Sequence, residues 1–299
     1  MRIGTRGSEL ALAQANMVAA MIGGCEIVKI TTSGDRGAGA GDKSRWVAEI
    51  EDALLAGDID LAVHSAKDLP GELASGLELL AAPARAACED VLCGAGDLAD
   101  LAPGSRVGTS SIRRLAQLRA AREDLDVVPV RGNVDTRLRK LADPEQKLDA
   151  IVLAHAGLQR LGRGSEAGGT LDPDRFVPAP GQGTLALQGR ASDGDARAAA
   201  ARINHELSLA CLIAERECAL ELGASCHTPL GAHAAGDESG RLRLRAWVGL
   251  PDGSAWAADD LSVPAGDPRA LGAAVASRLR AAGADALLER AQEMAGVGS

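Results

Sequence analysis

The side chains of this sequence best suited to chemistry are cations, hydroxyls and one acid that stand where apolar runs end. Residues 64–70, His-Ser-Ala-Lys-Asp-Leu-Pro, follow directly on the apolar run 59–63. In an open α/β sheet, polar groups at the carboxyl end of a strand lie where ligands bind, so Lys67 and Asp68 offer one fixed positive and one fixed negative group there. A solvated turn closed by Pro70 has the same composition and is the competing reading. Two more segments, Gly108-Thr109-Ser110-Ser111-Ile112-Arg113-Arg114 and Val130-Arg131-Gly132-Asn133-Val134-Asp135-Thr136-Arg137, enter helical patterns from strand patterns, and Thr5-Arg6-Gly7-Ser8 does the same near the N-terminus. Hydroxyls at helix N-termini and planar guanidinium forks suit carboxylate or phosphate groups. The chain carries a net charge of −9, with 32 Lys and Arg against 41 Asp and Glu, so cations gathered in these loops point to a small polyanion. Ordinary surface pairing of arginine with acidic neighbours is the alternative.

Cys226 lies among small residues in Gly223-Ala224-Ser225-Cys226-His227-Thr228-Pro229. An accessible thiol of this kind suits covalent attachment or nucleophilic catalysis; an incidental loop cysteine fits the same residues. Cys211 and Cys218 are seven apart on a helical pattern and read as core thiols. The spacing of Cys218, Cys226, His227 and His233 matches no zinc motif and there is no CxxC, so no metal is expected. The glycine-rich loop 34–44 resembles a phosphate loop, but Asp42 separates Gly41 from Lys43, and a mobile surface loop fits better.

These groups need elements to hold them. Strand patterns at 2–5, 26–32 and 59–64 alternate with helical patterns after Ser8, with Leu10, Ala13, Met17 and Met21 on one face, and over 46–55. The same grammar restarts with strands at 90–93, 106–108, 125–130 and 148–153 and helices over 111–122 and 134–142, which implies a second mainly parallel sheet. The apolar run 184–188 reads as a strand returning to the first unit. Beyond it stand a long helix over 205–222, a strand pair over 241–250 and 255–263 about the turn Pro251-Asp252-Gly253, and two alanine-rich helices. The fold class is therefore α/β with a smaller α+β part.

Composition narrows the partners. Apolar residues make up 46% and charged residues 24% of 299 residues, the balance of a globular protein of two or three domains. No apolar stretch reaches membrane-spanning length and the start lacks a signal-peptide pattern, so no membrane partner and a cytoplasmic location are expected. With six scattered cysteines, thiols rather than disulfides are expected there. Aromatic residues are 1% of the chain; without stacking platforms, and with net negative charge, nucleic acid is a poor partner.

The blocks TRGSELALAQA, AVHSAKDLP, VGTSSIRRLAQL, VRGNVDTRL, DAIVLAHAGLQRLG, PAPGQG and GASCHTPLG, in this order, closely resemble the porphobilinogen deaminase family. The resemblance implies a monomer of three domains: two lobes like those of a periplasmic binding protein, residues 1–84 with 184–202 and residues 88–180, and a third at 205–299 carrying the cofactor cysteine. It implies that Cys226 holds a dipyrromethane cofactor through a thioether and that Asp68 is a buried catalytic carboxylate. Lys67, Thr109, Ser111, Arg113 and Arg114 resemble the groups that grip the cofactor, while Arg6, Ser8, Arg131 and Arg137 resemble those that hold the incoming porphobilinogen. Arg160 resembles an arginine of chain elongation, and Lys43 and Trp46 correspond to a lid. The implied reaction is deaminative condensation of porphobilinogen, repeated until water releases a linear tetrapyrrole, with no external metal or nucleotide. The chain departs from the family in its short GDKSRW loop, in Ala224-Ser225 before the cysteine, and in Gln188, where the family commonly has Glu. The rival reading is a two-lobed binding protein for a small dicarboxylate, which needs no Cys226; a paralogue with an altered substrate is a third.

Overall fold

The computed structural model describes residues 1–32, 47–224, 228–294 and 296. Along the chain run β1 (Arg2–Arg6), α1 (Glu9–Ile22), β2 (Glu26–Ile30), α2 (Ala48–Ala56), β3 (Leu61–Ser65), β4 (Leu77–Ala81), β5 (Asp90–Cys93) and β6 (Arg106–Gly108). Next come α3 (Ile112–Ala121), β7 (Asp126–Val128), α4 (Val134–Ala142), β8 (Ala150–Ala154), α5 (His155–Arg160), β9 (Thr170–Leu171) and β10 (Leu185–Arg190). Last are α6 (Gly194–Ala201), α7 (Glu206–Glu221), β11 (Leu230–Gly236), β12 (Arg241–Gly249), β13 (Trp256–Pro264), α8 (Pro268–Ala281) and α9 (Ala284–Met294).

Two five-stranded sheets share one plan. The first has the order β2-β1-β3-β10-β4 and the second β7-β6-β8-β5-β9. In each, three strands pair in parallel, the fourth runs antiparallel, and the fifth pairs antiparallel to that one. The antiparallel member is in each case the first strand after the chain has crossed from one sheet to the other. The two crossings are hydrogen-bonded side by side, with Ala86 N donating to Gly183 O at 3.2 Å and Gln182 Nε2 to Cys88 O at 2.8 Å. In this order the parallel connections diverge between β1 and β3, and again between β6 and β8, and the crevice at such a switch point is where an α/β sheet binds ligands.

The third unit is an antiparallel sheet, β11-β12-β13, with α7, α8 and α9 packed around it. Leu242, Leu244, Ala246 and Val248 alternate inward onto Cys211, Cys218, Leu271, Val275 and Leu279. Both thiols are buried, as expected of core cysteines, and burial pushes each up to about 12. The fold class is thus α/β with two lobes on mainly parallel sheets and a smaller α+β unit.

One local expectation is corrected, and one residue of β12 is buried against the alternation of its own strand. Ser8 does cap α1, accepting from Ala11 N at 3.3 Å, but the helix buries Gln14, Ala15 and Val18 and leaves Met17 and Met21 40% and 51% exposed. A stripe of apolar residues selects a face only when a neighbour is there to cover it. On β12 the alternation places Trp247 outward from its own unit, yet Trp247 is buried because it packs on Ala116 and Val177 of the second lobe.

Candidate functional site

The first switch point gathers the loops after β1 and β3. β1 and β3 pair in parallel at Ile3 and Gly4, and a Cβ on Gly4 would stand 2.2 Å from Cδ1 of Ile59, the side chain just ahead of β3. Arg6 ends β1 and Ser8 follows it. Past β3 the chain turns through a single 3-10 turn, Ala66–Asp68, pinned by Ala66 N donating to Thr184 O at 3.0 Å and by Gln14 Nε2 donating to Ser65 Oγ at 2.9 Å. Gly181 lies against this turn with φ +75°, and a Cβ there would stand 2.9 Å from Ala66 C and 3.0 Å from Lys67 N. Only glycine combines that conformation with that approach. Lys67 is half-buried; burial, and then the Arg114 guanidinium, push its ammonium down to about 8. Asp68 is exposed at the tip of the turn, not buried as the resemblance implied, because the turn directs it away from the apolar layer that Ala66 and Leu69 enter.

The second switch point lies after β6. Ser111 caps α3, accepting from Arg114 N at 3.4 Å, and Thr109 Oγ1 accepts from Ser111 N at 3.2 Å. Local cap chemistry thus orients the first turn of α3, and that turn carries Arg113 and Arg114 inward, both buried. Arg113 Nη2 donates to Asp90 Oδ2 at 2.7 Å and Nη1 to Val177 O at 2.9 Å. Arg114 reaches Asp90 Oδ1 through Nη2 at 2.7 Å and Nε at 3.0 Å, and Val152 O through Nη1 at 2.9 Å. Burial works to raise the Asp90 carboxyl, but the two guanidinium groups win and hold it well below the usual carboxylate range. Gln182 Nε2 adds a further bond to Asp90 Oδ1 at 2.8 Å.

Asp90 is the residue that the sequence reading missed. Its one signal was a charge opening a wholly buried strand, since a buried charge must be paired.

The remaining arginines stand around this core. Arg137 on α4 donates through Nε to Gly132 O at 2.7 Å, and burial together with Arg114 pushes it down to about 10. Arg160 at the end of α5 donates through Nη2 to Gly183 O at 2.7 Å; burial pushes it down to about 10, and its Nε is a buried donor with no acceptor among the described residues. Arg131 is exposed. The electrostatic coupling of Lys67 to Asp68, Asp90, Arg113 and Arg114 joins the two switch points into one site, where Lys67, Arg113, Arg114 and Arg137 outnumber Asp68 and Asp90.

Lys43, Trp46 and Cys226 lie outside the described residues. The elements flanking Cys226 are described: α7 ends at Glu221, and β11 docks on the second crossing, with Ala232 N donating to Pro178 O at 2.9 Å. A Cβ on Gly231 would meet Val177 O at 2.5 Å, the carbonyl that Arg113 also binds.

The model of the "Porphobilinogen deaminase, dipyromethane cofactor binding domain" matches residues 1–198, and that of the "Porphobilinogen deaminase, C-terminal domain" matches residues 209–281. The porphobilinogen deaminase of Deinococcus deserti is 45% identical over 97% of this chain and 98% of its own. That of Thiobacillus denitrificans is 47% identical over 83% of this chain and 81% of its own, and that of Roseiflexus sp. is 44% identical over 96% and 97%. With family models covering the two lobes and most of the third unit, and relatives aligned along nearly the whole length, the chain belongs to the porphobilinogen deaminase family.

Proposed function

We propose that this enzyme, a transferase of tetrapyrrole synthesis, condenses porphobilinogen with loss of ammonia onto a dipyrromethane primer attached to Cys226. The observation that carries this reading is the excess of cations where the two switch points meet. Porphobilinogen bears an acetate and a propionate arm, as does each ring of the primer, and these carboxylates suit the surplus of guanidinium and ammonium groups. The buried Nε donors of Arg113 and Arg160, without acceptors among the described residues, favour the same chemistry.

In this reading Lys67, Thr109, Ser111, Arg113 and Arg114 hold the primer, and Arg6, Ser8, Arg131 and Arg137 hold the incoming ring. Arg160, tied to the second crossing, serves elongation, and Lys43 and Trp46 belong to a lid. When bound, the dipyrromethane supplies the pyrrole carbon that takes up the substrate. Asp68 stands at the mouth of the site, where its carboxylate accepts the pyrrole N–H of porphobilinogen. As the C–N bond breaks and ammonia leaves with the electron pair, the substrate becomes a cation that this fixed negative charge stabilises. Residues 1–84 with 184–202, residues 88–180, and residues 205–299 are the three domains of this reading. A cytoplasmic monomer, acting without nucleic acid, membrane or metal, accords with the composition; no described helix is long and apolar enough to cross a membrane.

Intact-protein mass spectrometry with peptide mapping tests the attachment. An added mass of two linked pyrroles on the Cys226 peptide, absent from Cys226→Ser, is the expected result. An unmodified chain that stays unmodified after incubation with porphobilinogen would return the two-lobed binder to the fore. Asp68→Ala is expected to slow ammonia release at least ~100-fold; an unchanged rate removes Asp68 from the chemistry.

A further inference from the structure

Cys88 lies on the first crossing and His233 on β11, and His233 Nε2 stands 3.7 Å from Cys88 Sγ, within the longer reach of a sulfur hydrogen bond. On the other side of the ring, Nδ1 is buried, makes no hydrogen bond among the described residues and faces Glu215 Oε1 at 3.7 Å, an ion pair when the ring is charged. Glu215, on α7, is fully buried. Thiol, imidazole and carboxylate thus stand in series, and none of the three belongs to the cation cluster of the switch points. Cys88 is half-buried, open to a small reagent, whereas Cys93, Cys211 and Cys218 are buried.

The charges around the ring decide what this pair does. Arg85 Nη1 donates to Glu215 Oε1 at 2.6 Å, so those two charges balance. A cationic ring then adds one positive charge in need of a partner. Arg245, the register partner of His233 on β12, is itself a cation and pairs with Asp260. Among the described residues, Cys88 Sγ is the group touching the ring that can supply the missing negative charge. Burial, and Arg85, work against a charge on the ring, but Cys88 and Glu215 prevail and push it up to about 9. A thiol beside a histidine cation gives up its proton more readily, and the thiolate is the nucleophile.

We propose that Cys88 and His233 form a thiolate–imidazolium pair, a nucleophilic site apart from the pyrrole chemistry, that reacts with hydrogen peroxide, and that this oxidation loosens the two crossings. In the step the sulfur attacks one peroxide oxygen, the O–O bond breaks, and the departing hydroxide takes the Nε2 proton and leaves as water. The thiolate is oxidised to a sulfenic acid, the peroxide is reduced, and a neutral imidazole remains. Glu215, which also accepts from Gly181 N of the second crossing at 2.6 Å, thereby loses one of its two cations. Cys88 O accepts from Gln182 Nε2 at 2.8 Å, and the same nitrogen binds Asp90 Oδ1, so an enlarged sulfur strains the bond that ties the first crossing to the second.

Alkylation of the purified protein by iodoacetamide at pH 7, followed by peptide mass spectrometry, compares Cys88 with Cys25, which is also half-buried and donates to Gly23 O at 3.4 Å. Cys88 is expected to react at least ~10-fold faster, and His233→Gln to remove that advantage. The ultraviolet thiolate band at pH 7, read as the difference between the unaltered protein and Cys88→Ser, reports the ion pair without altering the ring. Hydrogen peroxide followed by dimedone is expected to label Cys88. The same peroxide treatment should speed hydrogen exchange of the Ala86 and Gly181 amides at least about threefold, reversibly with dithiothreitol, and should leave exchange in Cys88→Ser unchanged.

Alkylation no faster than at Cys25, or no thiolate band at pH 7, overturns the ion pair. Fast alkylation that persists in His233→Gln overturns the role of the ring. Absence of the dimedone label overturns the reaction with peroxide, and a labelled Cys88 with unchanged exchange at Ala86 and Gly181 overturns the effect on the crossings. None of these measurements uses porphobilinogen, so they stand or fall independently of the function proposed above.

Discussion

Arg85 Nη1 donates to Glu215 Oε1 at 2.6 Å, which ties the first crossing between the lobes to the middle of α7. Glu215 is fully buried and also accepts from Gly181 N at 2.6 Å and from Ala234 N at 2.7 Å. Arg85 Nε donates to Gln182 O at 2.8 Å. One carboxylate thus holds both crossings and the first strand of the third unit. Burial works to raise Glu215, but Arg85 and His233 prevail and keep it below the usual range.

Because the pair is buried, removing one partner strands a charge. Glu215→Gln and Arg85→Leu are each expected to lose about 3–5 kcal/mol of unfolding free energy. The double variant should cost less than their sum, since removing both leaves no orphan charge. Urea unfolding of the four proteins of the cycle measures this; strict additivity would show that the pair does not join the units energetically.

Asp90 stands between two buried guanidinium groups, so Asp90→Asn is expected to lose about 3–5 kcal/mol and to slow loading of the primer. Its depressed carboxyl also sets a pH window. The stabilisation is present above the unfolded carboxyl's value, about 4, and disappears as pH falls from there toward the lower folded value. Unfolding midpoints between pH 6 and pH 3 should fall more steeply for the unaltered protein than for Asp90→Asn.

Lys67, held at about 8 instead of 10.5, loses its charge within reach of ordinary assay conditions. In the folded state its charged form is disfavoured, so this residue destabilises the unliganded fold below pH 8 and ceases to do so as pH rises through 8 toward 10.5. An anionic ligand prefers the charged form, so the affinity of unprimed protein for the primer should decline above pH 8 with a slope approaching one proton. Titrating primer loading against pH tests this, and Lys67→Arg, which stays charged, should flatten the decline.

Gly181→Ala places a methyl 2.9 Å from Ala66 C at a positive φ. A cost of about 1–3 kcal/mol in stability is expected, and displacement of the Lys67-Asp68 turn should reduce kcat at least ~10-fold. Thermal unfolding and single-turnover ammonia release separate the two effects. Loss of stability with unchanged turnover would show that the turn does not depend on this glycine.

What the sequence determined by itself is what a few neighbouring residues decide. Ser111 ahead of an apolar period announced a helix over 111–122, and the chain forms Ile112–Ala121 with Ser111 as its cap; a cap bond spans three residues, so its chemistry is written locally. The strands at 90–93 and 106–108 were likewise legible as short apolar runs between turn signals. The ligand loops were legible because cations and hydroxyls stood where those runs ended. Neither β4 nor β11 carried such a signal, since Leu-Glu-Leu-Leu-Ala and Leu-Gly-Ala-His-Ala-Ala-Gly become strands only when β10 and β12 come to pair with them. Tertiary structure alone decided that Asp90 pairs with Arg113 and Arg114 from 23 and 24 residues away. It also decided that Glu215, on a helix with no distinct polar face, is the buried hub of the crossings, and that Asp68 faces outward while Met17 and Met21 remain uncovered. The physical reason is common to these cases: whether a charge is paired or an apolar face covered depends on which distant surface arrives beside it, and no local period of residue types encodes that arrival.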